Sequence, residues 1–444
     1  MKRQEEVSGE HMAQTVEQLL AAGGMTRFHR SVVAITGFAW TFVAMEILLV
    51  SFTLPVFQSL WGLSGFSLGL IGAAALLGSF VGSLIWGRLA DRIGRRPIFQ
   101  SVVLWYSVFT ALTATAWDPY SLFAFRFLAG LGLGGMLVVD PALLTEYLPP
   151  QARGRFLVFL DFFWPIGFVV AIGLSYYFLE LLGGAWRLLF VAAAFPAFIS
   201  FVARRFIPES PYFLARKGRM DEAAAVLTRA TGRPVDVTSI ERPSDDIKGH
   251  LTELFRGSLR RSSIVIVVTW IALNFSYYGL FLWLPSALKG IHLGNIYLYL
   301  LFSALAQFPG YLTSMRLVDS WGRKRTLAAF LILGGLSGYI LATATTYENL
   351  LFGLFFVSFF NLGAWGAVYP FTSETFPTAL RATGFGLAEG VGKITAILGP
   401  TVFGFLLDLT GSLLAPLTTI AVVMAVGGVV AATLGRETKG KPLA

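Results

Sequence analysis

Six ionisable residues fall inside otherwise apolar stretches of this chain: Glu46, Arg126, Asp140, Asp161, Glu389 and Lys393. A charged side chain at the centre of a bilayer costs about 2.5–3.5 kcal/mol on insertion scales, so each is a functional candidate by default. The chemistry open to them is proton transfer and the binding of a charged solute. Glu46 lies midway along its stretch and Asp140 nearer the end of another, and both are candidates for proton coupling. Arg126 precedes Asp140 by about 21 Å of helix, nearly four whole turns, so the two share a face. Glu389 and Lys393 are spaced i, i+4, where they either neutralise each other or receive a ligand. Asp161, close to basic segments, reads more readily as structural. Tyr277, Tyr278 and Trp283 flank Pro285, Gln307 precedes Pro309, and Asn361 and Trp365 flank Gly363. Polar and aromatic groups where helices are interrupted suit a ligand cavity. With Arg126 and Lys393 they form the candidate substrate-binding set.

Elements that cross a membrane must position these residues. Of the 444 residues, 55% are hydrophobic and 13% charged, against about 25% charged in soluble domains. Apolar runs long enough for a spanning helix, about 20 residues, recur twelve times: near 31–54, 66–89, 97–117, 120–145, 155–179, 186–206, 263–288, 296–318, 325–346, 349–373, 383–407 and 413–434. They are apolar all round rather than alternating, which excludes a β-barrel. Lys and Arg collect on alternate loops, and this bias places both termini and the long central loop in the cytoplasm. The net charge of +9 follows from topology and implies no nucleic acid. No cysteine is present and the four histidines are scattered, so no metal site or cofactor is expected. Gly130, Gly132 and Gly135 match a dinucleotide fingerprint but follow no strand, and read instead as small residues for close helix packing.

The chain contains a duplication. GRLADRIGRRP at 87–97 matches MRLVDSWGRKR at 315–325, which takes Asp91 to Asp319, 228 residues on. The same offset takes Glu146 to Glu374, Arg153 to Arg381, Asp161 to Glu389 and Glu209 to Glu437. The expected fold class is therefore an all-α polytopic membrane protein of two parallel six-helix halves. The expected segments are a cytoplasmic N-terminus (1–30), an N-terminal half (31–206), an inter-half loop (207–262), a C-terminal half (263–434) and a cytoplasmic tail (435–444). The loop should carry a short helix at 221–230 and an amphipathic one at 251–259, and the N-terminus an amphipathic turn at 15–22.

GRLADRIGRRP resembles the signature loop of the major facilitator superfamily, and PESP with RETKG is similar to its sugar-porter and organic-ion branches. FSYYGLFLWLP, AQFPGY and SFFNLGAWGAVYPFTSETFPTALRATG look like bacterial niacin permeases, relatives of the synaptic vesicle glycoprotein group. That group usually has arginine where this chain has Lys393. The resemblance implies a cytoplasmic latch of loop charges: Arg88, Asp91, Arg95, Glu146 and Arg153, repeated as Asp319, Arg323, Glu374 and Arg381. It implies no enzyme but a proton-linked symporter in the bacterial inner membrane, a monomer whose partners are protons, lipid and a small organic ion such as nicotinate or another aromatic carboxylate. An organic cation or sugar transporter, or a non-transporting receptor on the same fold, remains the alternative.

Overall fold

Each apolar run forms a helix because no water inside a bilayer satisfies backbone N–H and C=O groups, which must then pair within the segment. The computed structural model describes residues 14–204, 207–242, 250–257, 259–290 and 295–439; the expected segments 1–30, 207–262 and 435–444 lie partly outside them. A short α1 (Val16–Gly23) precedes α2 (Arg27–Trp61), α3 (Gly65–Ile93), α4 (Arg95–Thr113) and α5 (Pro119–Tyr147). The fifth pass is α6 (Pro150–Asp161) followed by α7 (Phe163–Ser175) and a π-turn over Tyr176–Leu181; α8 (Trp186–Arg204) is the sixth. Between the halves lie α9 (Pro211–Arg216) and α10 (Met220–Thr231). The second set is α11 (Leu259–Gly290), α12 (Ile296–Ser320), α13 (Arg323–Ala342), α14 (Tyr347–Thr375), α15 (Thr378–Thr410) and α16 (Leu414–Leu434). Ten of these passes are long and apolar enough to cross a membrane, and α4 and α8 complete the twelve. Among the described residues there is no strand, only an isolated bridge between Gln14 and Ile240.

The halves repeat one packing scheme. In the first, α3 packs on α5, α4 on α5 and α8, and α2 on α7 and α8; in the second, α12 packs on α14, α13 on α14 and α16, and α11 on α15 and α16. Across the halves α15 meets α3, α12 meets α7 and α11 meets α2. Close helix packing explains the glycine fingerprint: Gly130 sits at the α3–α5 crossing, and Gly132 and Gly135 pack against Tyr106 and Val102 of α4. A Cβ on Gly130 would stand 2.2 Å from the carbonyl oxygen of Ala75, and one on Gly82 2.0 Å from that of Leu131, so only glycine permits this approach.

Two expectations about helix continuity change. Helix α11 runs through Pro285 without a break. The interruption instead falls between α6 and α7, at Phe162. Pro165 has no N–H to donate to the carbonyl four residues earlier, which is that of Asp161. In the inter-half loop the helix expected at 221–230 is α10, whereas the described residues 250–257 hold a 3-10 turn over Leu251–Phe255 and no α-helix; residue 258 lies outside the described residues and Leu259 begins α11. Arg256, in an extended conformation, ends the 3-10 turn. The expected N-terminal turn is α1, capped by Thr15, whose hydroxyl accepts from the N–H of Gln18 at 3.2 Å. It packs on α10.

Candidate functional site

A cavity lies where the two halves meet. The first half contributes Trp40 of α2, Ser79 of α3, Leu137 of α5, and Asp161 and Trp164 from either side of the interruption in the fifth pass. The second half contributes Tyr277 and Tyr278 of α11, Tyr311 of α12, Trp365 and Tyr369 of α14, and Glu389 and Lys393 of α15. The space available to the centres of water-sized molecules is about 80 Å³.

Helical spacing explains this wall. Asp161 and Trp164 are three residues apart, Trp365 and Tyr369 four, and Glu389 and Lys393 four, so each pair shares a face. The rings lock edge to face: Trp40 on Trp164 at 6.2 Å, and Trp164 on Tyr277 at 6.2 Å. The Trp164 indole N–H donates to the Tyr277 hydroxyl at 2.5 Å, which joins the halves directly at the cavity. Glu389 and Lys393 interact through space, but no ion pair closes between them among the described residues. Both charged ends are therefore available to a ligand.

The expected substrate-binding residues divide between this wall and its surroundings. Tyr277, Tyr278, Trp365 and Lys393 line the cavity. Asn361 is buried behind it and donates through Nδ2 to the Ser276 hydroxyl at 3.1 Å, leaving Oδ1 without a partner among the described residues. Gln307 is fully buried one turn from Tyr311, and neither amide atom has a partner there. Trp283 is engaged elsewhere: its indole donates to the Pro400 carbonyl at 2.8 Å and stacks on Phe403.

Arg126 and Glu46 form one buried ion pair inside the first half. Arg126 also donates to the Glu46 backbone carbonyl at 3.0 Å, Thr110 donates to the same carboxylate at 2.8 Å, and the guanidinium lies over the Phe190 ring. Neither residue lines the cavity. Asp140, fully buried on α5, also lies off its wall, and Tyr106 stands within electrostatic reach of both Asp140 and Glu46. The carboxylates that do face the cavity are Asp161 and Glu389. The 228-residue offset pairs them and their spacing to Trp164 and Lys393 gives each a shared face, but spacing alone does not say which face meets the other half. Trp40, Asn274, Tyr311 and Tyr369 carried no comparable signal.

The loop charges form two matching clusters. Arg95 pairs with Asp91 at 2.6 Å and Glu146 at 3.2 Å; Arg323 pairs with Asp319 at 3.5 Å and Glu374 at 2.9 Å. Gly94 (φ 124) and Gly322 (φ 116) make the same turn before α4 and α13, a conformation that favours glycine. Arg153 donates to Glu17 at 2.7 Å and to the Tyr212 hydroxyl at 2.7 Å. Arg381 is engaged, and Arg88 is exposed. The pairs of Arg95 and of Arg323 each join helix ends within one half. At this end a crevice of about 670 Å³ is lined by Phe159 and Phe162 of the first half and Leu312 and Met315 of α12, and Phe162 packs edge to face on Phe308 of α12 at 5.2 Å. At the opposite end α3 and α15 touch backbone to backbone: a Cβ on Gly404 would stand 2.0 Å from the Gly65 carbonyl oxygen.

Comparison with known proteins agrees with this architecture. A family model described as "Sugar (and other) transporter" matches residues 21–444. The chain is 36% identical over 423 residues to the niacin transporter NiaP of Acinetobacter baylyi, covering 94% of this chain and 96% of that one. It is 32% identical over 414 residues to the putative niacin/nicotinamide transporter NiaP of Bacillus subtilis, covering 92% and 96%. Among solved structures, the xylose transporter XylE from E. coli in a partially occluded inward open conformation superposes with a TM-score of 0.76 at 19% identity, covering 94% of this chain and 100% of that one.

Proposed function

Because the chain belongs to the sugar (and other) transporter family of the major facilitator superfamily, we propose that this multi-pass membrane transporter moves nicotinate or another small aromatic carboxylate by proton-coupled symport. The observation that carries the reading is the cavity itself, an aromatic enclosure at the junction of the halves with the Lys393 amine on its wall. Aromatic faces stack on a planar ring, and an ammonium group supplies the charge-assisted hydrogen bond a carboxylate needs. The names of the relatives from Acinetobacter baylyi and Bacillus subtilis support the same substrate class. The basic loop clusters and both termini face the cytoplasm in this reading. The crevice between α6 and α12 is then the inner opening, and the α3–α15 contact is the outer closure. Substrate crosses when the halves rock about the cavity, with the loop charges holding the inner side in the opposite state.

Uptake of labelled nicotinate into proteoliposomes, driven by an inward pH step, tests the proposal. Accumulation above equilibrium that a protonophore abolishes is the expected result; no uptake at any pH step overturns it. Lys393→Ala should abolish binding of the acid while sparing its uncharged amide. A second reading, transport of an organic cation, draws on the two cavity carboxylates Asp161 and Glu389. Uptake of a quaternary amine with no uptake of either nicotinate or benzoate would favour it.

A further inference from the structure

Among the described residues, Asp161 is the one ionisable side chain that the first half presents to the cavity; its neighbours on that wall are Trp40, Leu76, Ser79, Leu137 and Trp164. It is buried, at 8% exposure. The charged group within its electrostatic reach is Glu389, a like charge, and the Trp40 indole is the hydrogen-bond donor beside it. Among the described residues no cation answers it: Lys393 lies one turn from Glu389 on the other half and interacts with that residue. A buried carboxylate facing another carboxylate is expensive unless something brings it a positive charge or a hydrogen-bond donor. Phe162 keeps helical backbone angles at the α6–α7 junction, so Asp161 shares a face with Trp164, and Pro165 leaves the Asp161 carbonyl without its usual backbone donor.

The two halves therefore line the cavity with different chemistry. Lys393 offers a cation on the second half, and Asp161 offers a carboxylate that faces no cation on the first. The rings of Trp164, Tyr277, Tyr278, Tyr311 and Tyr369 line the same cavity. At about 10–15 Å³ per water, the space holds on the order of six waters, the scale of one small substituted ring.

We propose that Asp161 determines substrate specificity by recognising a ring nitrogen: a pyridine-type acid places its carboxylate on Lys393 and its nitrogen on Asp161, with one proton shared between nitrogen and carboxylate. Lys393 accounts for an acid; Asp161 accounts for a nitrogen within that acid. The inference rests on the reading of the cavity as an aromatic-acid site and adds the discrimination between acids that differ by one ring atom. Benzoate matches nicotinate in shape and charge but presents a C–H to Asp161, leaving the buried carboxylate without a donor from the ligand. Rejection of an analogue that strands a buried polar group is the strong form of specificity.

The test is equilibrium binding of nicotinate and of benzoate to the purified full-length transporter, for the wild type, Asp161→Asn and Asp161→Leu. The wild type should prefer nicotinate by about tenfold or more, as expected of one hydrogen bond to a charged group. Asp161→Leu should bring the two ligands to near equality through loss of nicotinate affinity, with benzoate binding kept as the internal check on folding. Asp161→Asn should retain the preference, because its amide can donate to or accept from a ring nitrogen. Equal affinities in the wild type overturn the proposal without recourse to any variant. So does an Asp161→Leu protein that still prefers nicotinate, or one that loses both acids alike. A wild type that binds neither acid sinks the aromatic-acid reading itself, and the proposal with it.

Discussion

The Asp408 carboxylate, on the last turn of α15, accepts a hydrogen bond from the backbone N–H of Gly65 at 2.6 Å, at the first residue of α3. Its second oxygen accepts from the N–H of Phe66 at 2.7 Å. Helix N-termini have unpaired N–H groups and a partial positive charge, so a carboxylate there is favourable. Here it comes from the other half of the molecule, and the cap exists only while the two halves are closed at this end.

Asp408→Ala should therefore shift the transporter toward the state open at this end. The bond is charge-assisted but exposed, so about 1–1.5 kcal/mol is the expected scale, up to roughly tenfold in population. The chain has no cysteine, so Phe52→Cys supplies a single reporter at this end of the molecule, in the crevice beside Pro55, Pro285 and Tyr297. Its labelling rate by a soluble thiol reagent should rise several-fold in the Asp408→Ala background. An unchanged rate would remove Asp408 from the closure.

Glycine contacts within a half and between halves should respond differently to the same substitution. A Cβ on Gly82 stands 2.0 Å from the Leu131 carbonyl oxygen inside the first half, and one on Gly404 stands 2.0 Å from the Gly65 carbonyl oxygen across the halves. Gly82→Ala can be accommodated only by distorting a packed crossing, which costs about 1–3 kcal/mol or more. Gly404→Ala is relieved when the halves part. Thermal unfolding in detergent should show a lower Tm for Gly82→Ala and little change for Gly404→Ala, whereas the cysteine reporter at Phe52 should label faster only in the latter. The opposite assignment would mean that the α3–α15 contact belongs to the folded core.

Much of this architecture is legible in the residues. The twelve runs become twelve passes because length and all-round apolarity leave a chain little else to form in lipid. The offset linking Glu209 to Glu437 marks two carboxylates in equivalent places: Glu209 accepts from the backbone N–H of Arg95 at 2.9 Å and Glu437 from that of Arg323 at 2.8 Å. The cavity is less legible. Periodicity gives the face shared by Asp161 and Trp164 but not the neighbour it meets, which depends on how two helices from different halves cross. Pro285 looked like a helix break and Pro165 did not, although both remove one hydrogen bond. A proline within a continuous run is absorbed when surrounding helices hold the strand of backbone in place.

The two capping glutamates should also respond differently to acid. Glu209 lies in the segment between α8 and α9; burial, only partly offset by its backbone hydrogen bonds, holds its carboxyl above the ordinary value. Burial also acts on Glu437 in the tail, but N–H donors from Lys439, Arg323, Lys324 and Arg325 outweigh it and hold its carboxyl below the ordinary value. A depressed carboxyl stabilises the fold above its unfolded pKa, about 4.3, and loses that contribution as pH falls through the folded value. A raised carboxyl works in the opposite sense: its protonated form is favoured in the folded state, and acid does not weaken it. Amide hydrogen exchange at 323–325, corrected for intrinsic rates, should therefore lose protection as pH drops below about 4, while 95–96 holds its protection over the same window. Parallel loss at both sites would show that the tail does not depend on the charge of Glu437.

The buried pair of Glu46 and Arg126 raises the last question, whether it couples protons or only holds α2 to α5. Both side chains are fully enclosed, at 1% and 0% exposure, and the pair has no face on the cavity. Removing one partner of such a pair leaves an uncompensated charge, at a cost of about 3–5 kcal/mol. Arg126→Leu should therefore lower the Tm sharply, and adding Glu46→Gln should recover much of the loss, because the double variant leaves no charge behind. Transport then separates the two roles. Coupling through Glu46 requires the carboxylate to release Arg126 and take a proton during the cycle, a state that Glu46→Gln imitates permanently. That variant should exchange labelled for unlabelled substrate at a rate near that of the wild type, while uphill accumulation after a pH step disappears. If Glu46→Gln still concentrates substrate in response to the step, the pair is structural. The coupling proton must then be sought on Asp140 or, given its exposure to the cavity, on Asp161.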